Sequence, residues 1–131
     1  MIIDLPPGTG DVQLSLSQLC EFTGSVIVST PQDVSLLDAK KAISMFDKVE
    51  VEITGIIENM SNFVCPHCGK STPIFSENGP RKISKEIEIP FLGSIPIEIA
   101  VREGSDRGLP IMQKKIDSPA SIAFNLSLIH I

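Results

Sequence analysis

Hydrophobic and polar positions fall in blocks along the chain. Met1-Ile2-Ile3-Asp4 reads as the last residues of a buried strand, three apolar residues closed by a carboxylate. Leu5 to Asp11 holds two prolines and two glycines and is a loop, since neither residue continues an element interior. Val12 to Glu21 has helical spacing, with Leu16, Leu19 and Cys20 on one apolar face. Ser25 to Ser29 is a short β-branched run, as expected of a strand covered on both sides. Thr30-Pro31-Gln32-Asp33 then opens a helix: Thr30 caps, Pro31 fits the first turn and Asp33 closes a capping box. Leu36, Ala39, Ile43 and Phe46 carry that helix to about Asp47. Val51 to Ile57 reads as a third strand and Glu58 to Pro80 as a long irregular stretch. Arg81 to Glu86 reads as a short helix, and Phe91 to Ile95 as a fourth strand ending at Pro96. Short helices are expected to start near Glu98 and at Ser118-Pro119.

Strand, helix, strand, helix, strand with short links is the pattern of a parallel sheet with helical crossovers. Ligands of such sheets sit at the carboxyl ends of the strands. The informative residues fall there: Asp4 to Asp11, Asn59, and Pro96 to Glu98.

Composition narrows the function classes. The 131 residues are 42% hydrophobic and 21% charged, which is globular composition. Eleven Lys and Arg against sixteen Asp and Glu give a net charge of −5, so a general footprint for nucleic acid is absent. Six Phe with no Trp or Tyr supply few platforms for stacking bases. No apolar run approaches the roughly 20 residues that cross a bilayer, and no secretory signal is visible at the start. No membrane partner is expected. Three cysteines do not make a secreted disulfide framework; thiol or metal chemistry in the cytoplasm is expected instead.

An apolar strand ending in Asp4, followed by a glycine-rich turn, suits Mg-nucleotide chemistry. The carboxylate stands near a metal-bound water, and glycine amides approach a phosphate unobstructed. Against this stands the plain alternative that Asp4 only caps the next turn. Gly8-x-Gly10 is no dinucleotide fingerprint, because Gln13 occupies the third glycine position. Gly69-Lys70-Ser71-Thr72 imitates the end of a phosphate loop, but Val64 stands where its first glycine belongs and Pro73 follows at once. The 131 residues contain no phosphate-loop motif.

Cys65-Pro66-His67-Cys68 is the strongest chemical feature. A dithiol redox pair would want a helix start to stabilise the thiolate, which Gly69 and Pro73 oppose. A zinc site needs four ligands, and an iron–sulfur site about four thiolates. One chain supplies two here, so either metal reading implies a symmetric dimer sharing one site on its axis. Two exposed thiols without function is the remaining alternative. Cys20, on the apolar face of its helix, reads as core. Asn59 could read a base edge or merely make a turn. Glu58 and Glu98 read as solvated or capping, and Lys40-Lys41 and Lys114-Lys115 as exposed charges.

Taken together, IIDLPPGTGDVQLSLSQL, GSVIVSTPQDVSLLDAKKAISMF, GIIENMSNFVCPHCGKSTPIF and IPFLGSIPIEIAVREGSDRGLPI resemble the Mrp/ApbC branch of the MinD/ParA-like P-loop ATPases, the ATP-binding iron–sulfur cluster carriers. The stretches run in the family's order from Met1 to about Ile111. The resemblance implies a P-loop NTPase α/β fold, a mostly parallel sheet with helices on both faces. Asp4 matches the Walker B aspartate that holds Mg through water, and Gly8 the switch glycine whose N–H faces the terminal phosphate. Asn59 matches the residue that reads adenine, with Pro96 to Glu98 packing near the base. Cys65 and Cys68 match the paired cysteines that bind a [4Fe–4S] cluster across a homodimer. ATP with Mg is the implied nucleotide. Apo iron–sulfur proteins and assembly scaffold proteins are the implied partners.

The family's phosphate loop lies before the Walker B strand, where this chain begins. The expectation is therefore that residues 1–126 are the C-terminal part of one P-loop ATPase domain lacking its N-terminal phosphate-loop unit, with the Cys loop at about 58–80. Such a piece is expected neither to bind ATP tightly nor to hydrolyse it alone, and to be poorly soluble through an unpaired sheet edge. Residues 127–131 depart from the family pattern and read as a foreign tail. A zinc-binding dimerisation module and a MinD/ParA-like positioning ATPase are the alternatives. The latter would favour a basic amphipathic C-terminal helix, and no Lys or Arg follows Ser118.

Overall fold

The β-branched runs either side of the first long helix pair directly. β1 (Ser25–Ser29) and β2 (Ile53–Val64) are parallel neighbours, with Ile27 opposite Ile56 and Ser29 opposite Glu58. The structure is a computed structural model and describes residues 1–6, 8, 10–114 and 117–129. β2 is the centre of the sheet. On its other side it pairs in parallel with β4 (Phe91–Ile97), and its far end turns back on the two-residue β3 (Ser71–Thr72) as an antiparallel hairpin.

Side chains alternate across the sheet, so each face buries its own cluster. On one face Ile27 and Ile56 meet Ala39, Met45 and Phe46 of α2 (Asp33–Lys48) and Ile83 of α3 (Gly79–Glu86). On the other, Ile57, Leu92 and Ile95 meet Ala123 and Phe124 of α6 (Pro119–Ile129). Helices on both faces of a mostly parallel sheet are thus observed. α1 (Asp11–Leu19), α4 (Ile99–Asp106) and the one-turn α5 (Ile111–Lys114) complete the order. Lys40 of α2 pairs with Glu86 of α3 at 2.9 Å on the surface.

Four local expectations need correction. Met1 to Asp4 forms no strand and joins no ladder among the described residues, which leaves Met1 and Ile2 exposed. Leu19 and Cys20 are also exposed; the buried residue of α1 is the polar Gln13. The capping box at Thr30 is not made. α2 starts at Asp33 with Gln32 as its cap, Pro31 is buried outside the helix, and Thr30 bonds the Ser35 hydroxyl at 2.8 Å. Much of the stretch read as irregular after Glu58 is strand, because β2 runs on to Val64, and β4 continues through Pro96 to Ile97. At the other end, α6 continues through Ile129, and Ser127 is buried with its hydroxyl donating to the Ala123 carbonyl at 2.8 Å. His130 and Ile131 of the expected tail lie outside the described residues.

Candidate functional site

The cysteine motif sits at the tip of a hairpin. β2 delivers the chain to Val64, which pairs with Ser71 of β3, and Cys65, Pro66, His67 and Cys68 make the turn. Cys65 N–H donates to the Lys70 carbonyl at 3.0 Å, and Gly69 N–H donates to the Cys65 carbonyl at 2.9 Å. Gly69 has φ +68°, a left-handed conformation that a residue with a Cβ adopts at a cost, so the glycine suits the turn. The Asn62 amide bonds the Ser71 hydroxyl across the two strands.

This turn aims donors at sulfur. The backbone N–H of Cys68, then that of His67, then the Cys68 thiol hold the Cys65 thiol below its ordinary range. The thiolate is the form that ligates a metal or attacks an electrophile. Cys65 is half-buried; Cys68 and His67 are exposed. Among the described residues no group of three or more His, Cys, Asp or Glu is placed to hold a metal. The hairpin offers two sulfurs on an accessible tip.

Asn59 lies on the same strand, six residues before Cys65, which at a strand's rise is a span of about 20 Å or less. It faces Ile95 of β4, so Pro96 is the next residue across the pair. Its carbonyl oxygen accepts the N–H of Met60 at 3.0 Å, which leaves the amide NH2 to donate elsewhere. Met60 itself has φ +55°. Beyond Asn59 the strands lose register, and the next pair is Phe63 with Ile97. Glu98 ends this segment as the N-cap of α4, while its carboxylate accepts the Ala120 N–H at 3.2 Å at the start of α6. The capping role read from the sequence is made there.

Glu58 differs from its expectation. It is 4% exposed, not solvated. One carboxylate oxygen accepts the Ser94 hydroxyl of β4 at 2.9 Å, and the other is buried without a partner among the described residues. Leaving a buried acceptor unpaired costs about 1–3 kcal/mol. Gln13 is the second buried polar residue that sequence reasoning missed. Its side-chain NH2 donates to the Pro6 carbonyl at 2.6 Å and the Gly8 carbonyl at 3.1 Å, tying the glycine-rich turn to α1.

Asn59, Pro96, Glu98 and the cysteine hairpin are therefore gathered by β2 and β4. Asp4 and Gly8 are exposed, and among the described residues no hydrogen bond or ion pair links them to that group. Gly8 has φ +99°.

A mostly parallel sheet with helices on both faces places the chain in the α/β class. A nucleotide-binding protein from Archaeoglobus fulgidus in complex with ADP superposes with a TM-score of 0.74 and 37% identity, over 92% of this chain and 48% of that one. The cell division ATPase MinD of Pyrococcus furiosus superposes with a TM-score of 0.60 and 25% identity, over 80% of this chain and 40% of that one. The chain belongs to the ParA family: the family model described as NUBPL iron-transfer P-loop NTPase matches residues 1–130. Curated relatives include the "Iron-sulfur protein required for NADH dehydrogenase, mitochondrial" of Arabidopsis thaliana, 52% identical over 93% of this chain and 38% of its own length. The "Iron-sulfur cluster transfer protein NUBPL" of Dictyostelium discoideum is 52% identical over 91% of this chain and 37% of its own length. The "Iron-sulfur cluster carrier protein" of Escherichia coli K12 is 47% identical over 90% and 32%. The chain thus spans 32% to 38% of the length of these relatives. No helix among the described residues is long and apolar enough to cross a membrane.

Proposed function

We propose that this chain supplies the cluster-holding and base-reading parts of an ATP-dependent iron–sulfur carrier. Its cargo is a [4Fe–4S] cluster gripped by Cys65 and Cys68 of two copies and passed to apo iron–sulfur proteins. The observation that carries this reading is the hairpin tip, where backbone N–H groups favour the Cys65 thiolate beside an exposed Cys68. A [4Fe–4S] cluster takes four thiolates, and two chains meeting at their tips supply that number. Relatives named as an iron–sulfur cluster transfer protein and an iron–sulfur cluster carrier protein support an iron–sulfur cluster as the cargo.

The nucleotide roles follow the family pattern. Asn59 directs its free NH2 at an acceptor on adenine, and Pro96 and Glu98 border the base. Asp4 holds Mg through water, and Gly8 turns its N–H to the terminal phosphate. Assembly scaffold proteins supply the cluster, and the cytoplasm is the compartment in which these thiols stay reduced.

Anaerobic reconstitution with iron and sulfide tests the reading. The expected product binds about one cluster per two chains, the stoichiometry of four-thiolate ligation. Cys65→Ala and Cys68→Ala should each lose the cluster's visible absorbance. A monomer that takes up no iron overturns the proposal, and tight zinc without iron moves the assignment to a zinc-bridged dimer.

A further inference from the structure

Glu58 has a place in the fold that the nucleotide roles above leave unused. Its side chain lies on the α2/α3 face, two residues from Ile56, while Asn59 projects to the opposite face. In register it stands between Ser29 of β1 and Ser94 of β4. The three make a polar row across three parallel strands, immediately above the apolar pairs Ile27 and Ile56. The Ser94 to Glu58 hydrogen bond, 2.9 Å long, ties β2 to β4 one residue before their regular pairing ends. Past it, β2 bows out at Met60, and β4 runs on to Pro96, Ile97 and Glu98.

A tie to one hydroxyl needs one acceptor. Glutamate brings a second oxygen, and here that oxygen is buried with no partner among the described residues. A locally unfavourable group at the carboxyl end of a parallel strand is what functional sites show and what plain packing positions avoid.

We propose that Glu58 is a positioning residue for the nucleotide site. By holding the ends of β2 and β4 at fixed spacing through Ser94, it keeps Asn59 and the Pro96–Glu98 segment facing one base. This rests on the reading of Asn59 as the base-reading residue. Glu58 itself does not touch the nucleotide.

The test titrates ADP into the full 131-residue chain and follows the Asn59 side-chain amide in two-dimensional NMR spectra, which report even weak binding. Glu58→Ala and Ser94→Ala should each weaken ADP binding roughly threefold to tenfold, the worth of one hydrogen bond. The double variant should be no weaker than the weaker single one, because both changes break the same tie. Glu58→Gln keeps a carbonyl acceptor for Ser94 and should restore affinity to within about twofold. Cobalt bound at Cys65 and Cys68 should keep its thiolate absorbance in every variant, which reports that β2 and its hairpin stand. If Glu58→Ala does not fold, Ser94→Ala and Glu58→Gln decide alone. Saturable ADP binding at Asn59 that the single variants leave unchanged, or losses that multiply in the double variant, overturns the positioning role while the reading of Asn59 survives. Failure of ADP to move the Asn59 amide of the unmodified chain overturns that reading, and the positioning role with it.

Discussion

At the residue scale, reactivity is set by what points at an atom. Cys65 and Cys20 are both thiols with access to water, yet only Cys65 has donors from its own turn, first the Cys68 N–H and then that of His67. The direction is downward, so the thiolate is populated at lower pH than in the unfolded chain. In the metal-free chain under reductant-free, oxygen-excluded handling, the alkylation rate of Cys65 should reach half its maximum at a pH below that of the same residue in urea. Peptide mapping after iodoacetamide treatment across a pH series reads this, and equal midpoints in buffer and urea would refute it. The cysteine pair was legible because two thiols at this spacing have few uses. Gln13 and Glu58 were not. Their burial is decided by the Pro6 and Gly8 carbonyls in one case and by Ser94, 36 residues away, in the other. A polar residue's own neighbours in sequence do not say whether such partners exist.

At the element scale, β2 shows what periodicity reveals and what it hides. Ile53 to Ile57 is apolar and was expected as strand, but Asn59, Ser61 and Asn62 have the composition of a loop. They are strand because partners on both sides fix them: Ile95 opposite Asn59, and β3 opposite Phe63 and Val64. The helix from Asp33 was legible through Leu36, Ala39, Ile43 and Phe46, all of which join the core. Its first turn was misread, since burying Pro31 moved the helix start past it. The pairing of β2 with β4 also depends on a close approach. β4 carries an extra residue, Leu92, between the partners of Ile56 and Ile57, and Leu92 folds over Gly55. A Cβ on Gly55 would lie 2.5 Å from Leu92 Cγ and 2.8 Å from the Pro90 carbonyl oxygen, and the latter belongs to the backbone. Gly55→Ala should therefore lower stability by about 1–3 kcal/mol, the usual cost of overpacking. The expected reading is a lower urea midpoint at an unchanged slope; an unchanged midpoint would mean that β4 yields freely.

At the scale of the whole molecule, β1 and β4 flank β2 as the outer parallel strands of the sheet. α6 packs on one face of β2 and β4, and the outer edge of β1 has no ladder partner among the described residues. Val28, on that strand, is 58% exposed. Met1 to Asp4, the apolar segment expected to be strand, does not fill the edge. An unpaired, apolar edge strand is a template for another chain. The chain is therefore expected to self-associate as its concentration rises, even with metal removed and thiols reduced, conditions that leave the cysteine hairpins unbridged. Val28→Lys puts on this strand the charge by which natural edges resist pairing, and it should shift the chain towards monomer. Sedimentation velocity on both proteins separates this route from bridging at the cysteines. Association through β1 responds to Val28→Lys and not to Cys65→Ala, whereas cluster-bridged dimers respond in the opposite way. A chain that stays monomeric at every concentration without metal would show that β1 is protected by its own surroundings.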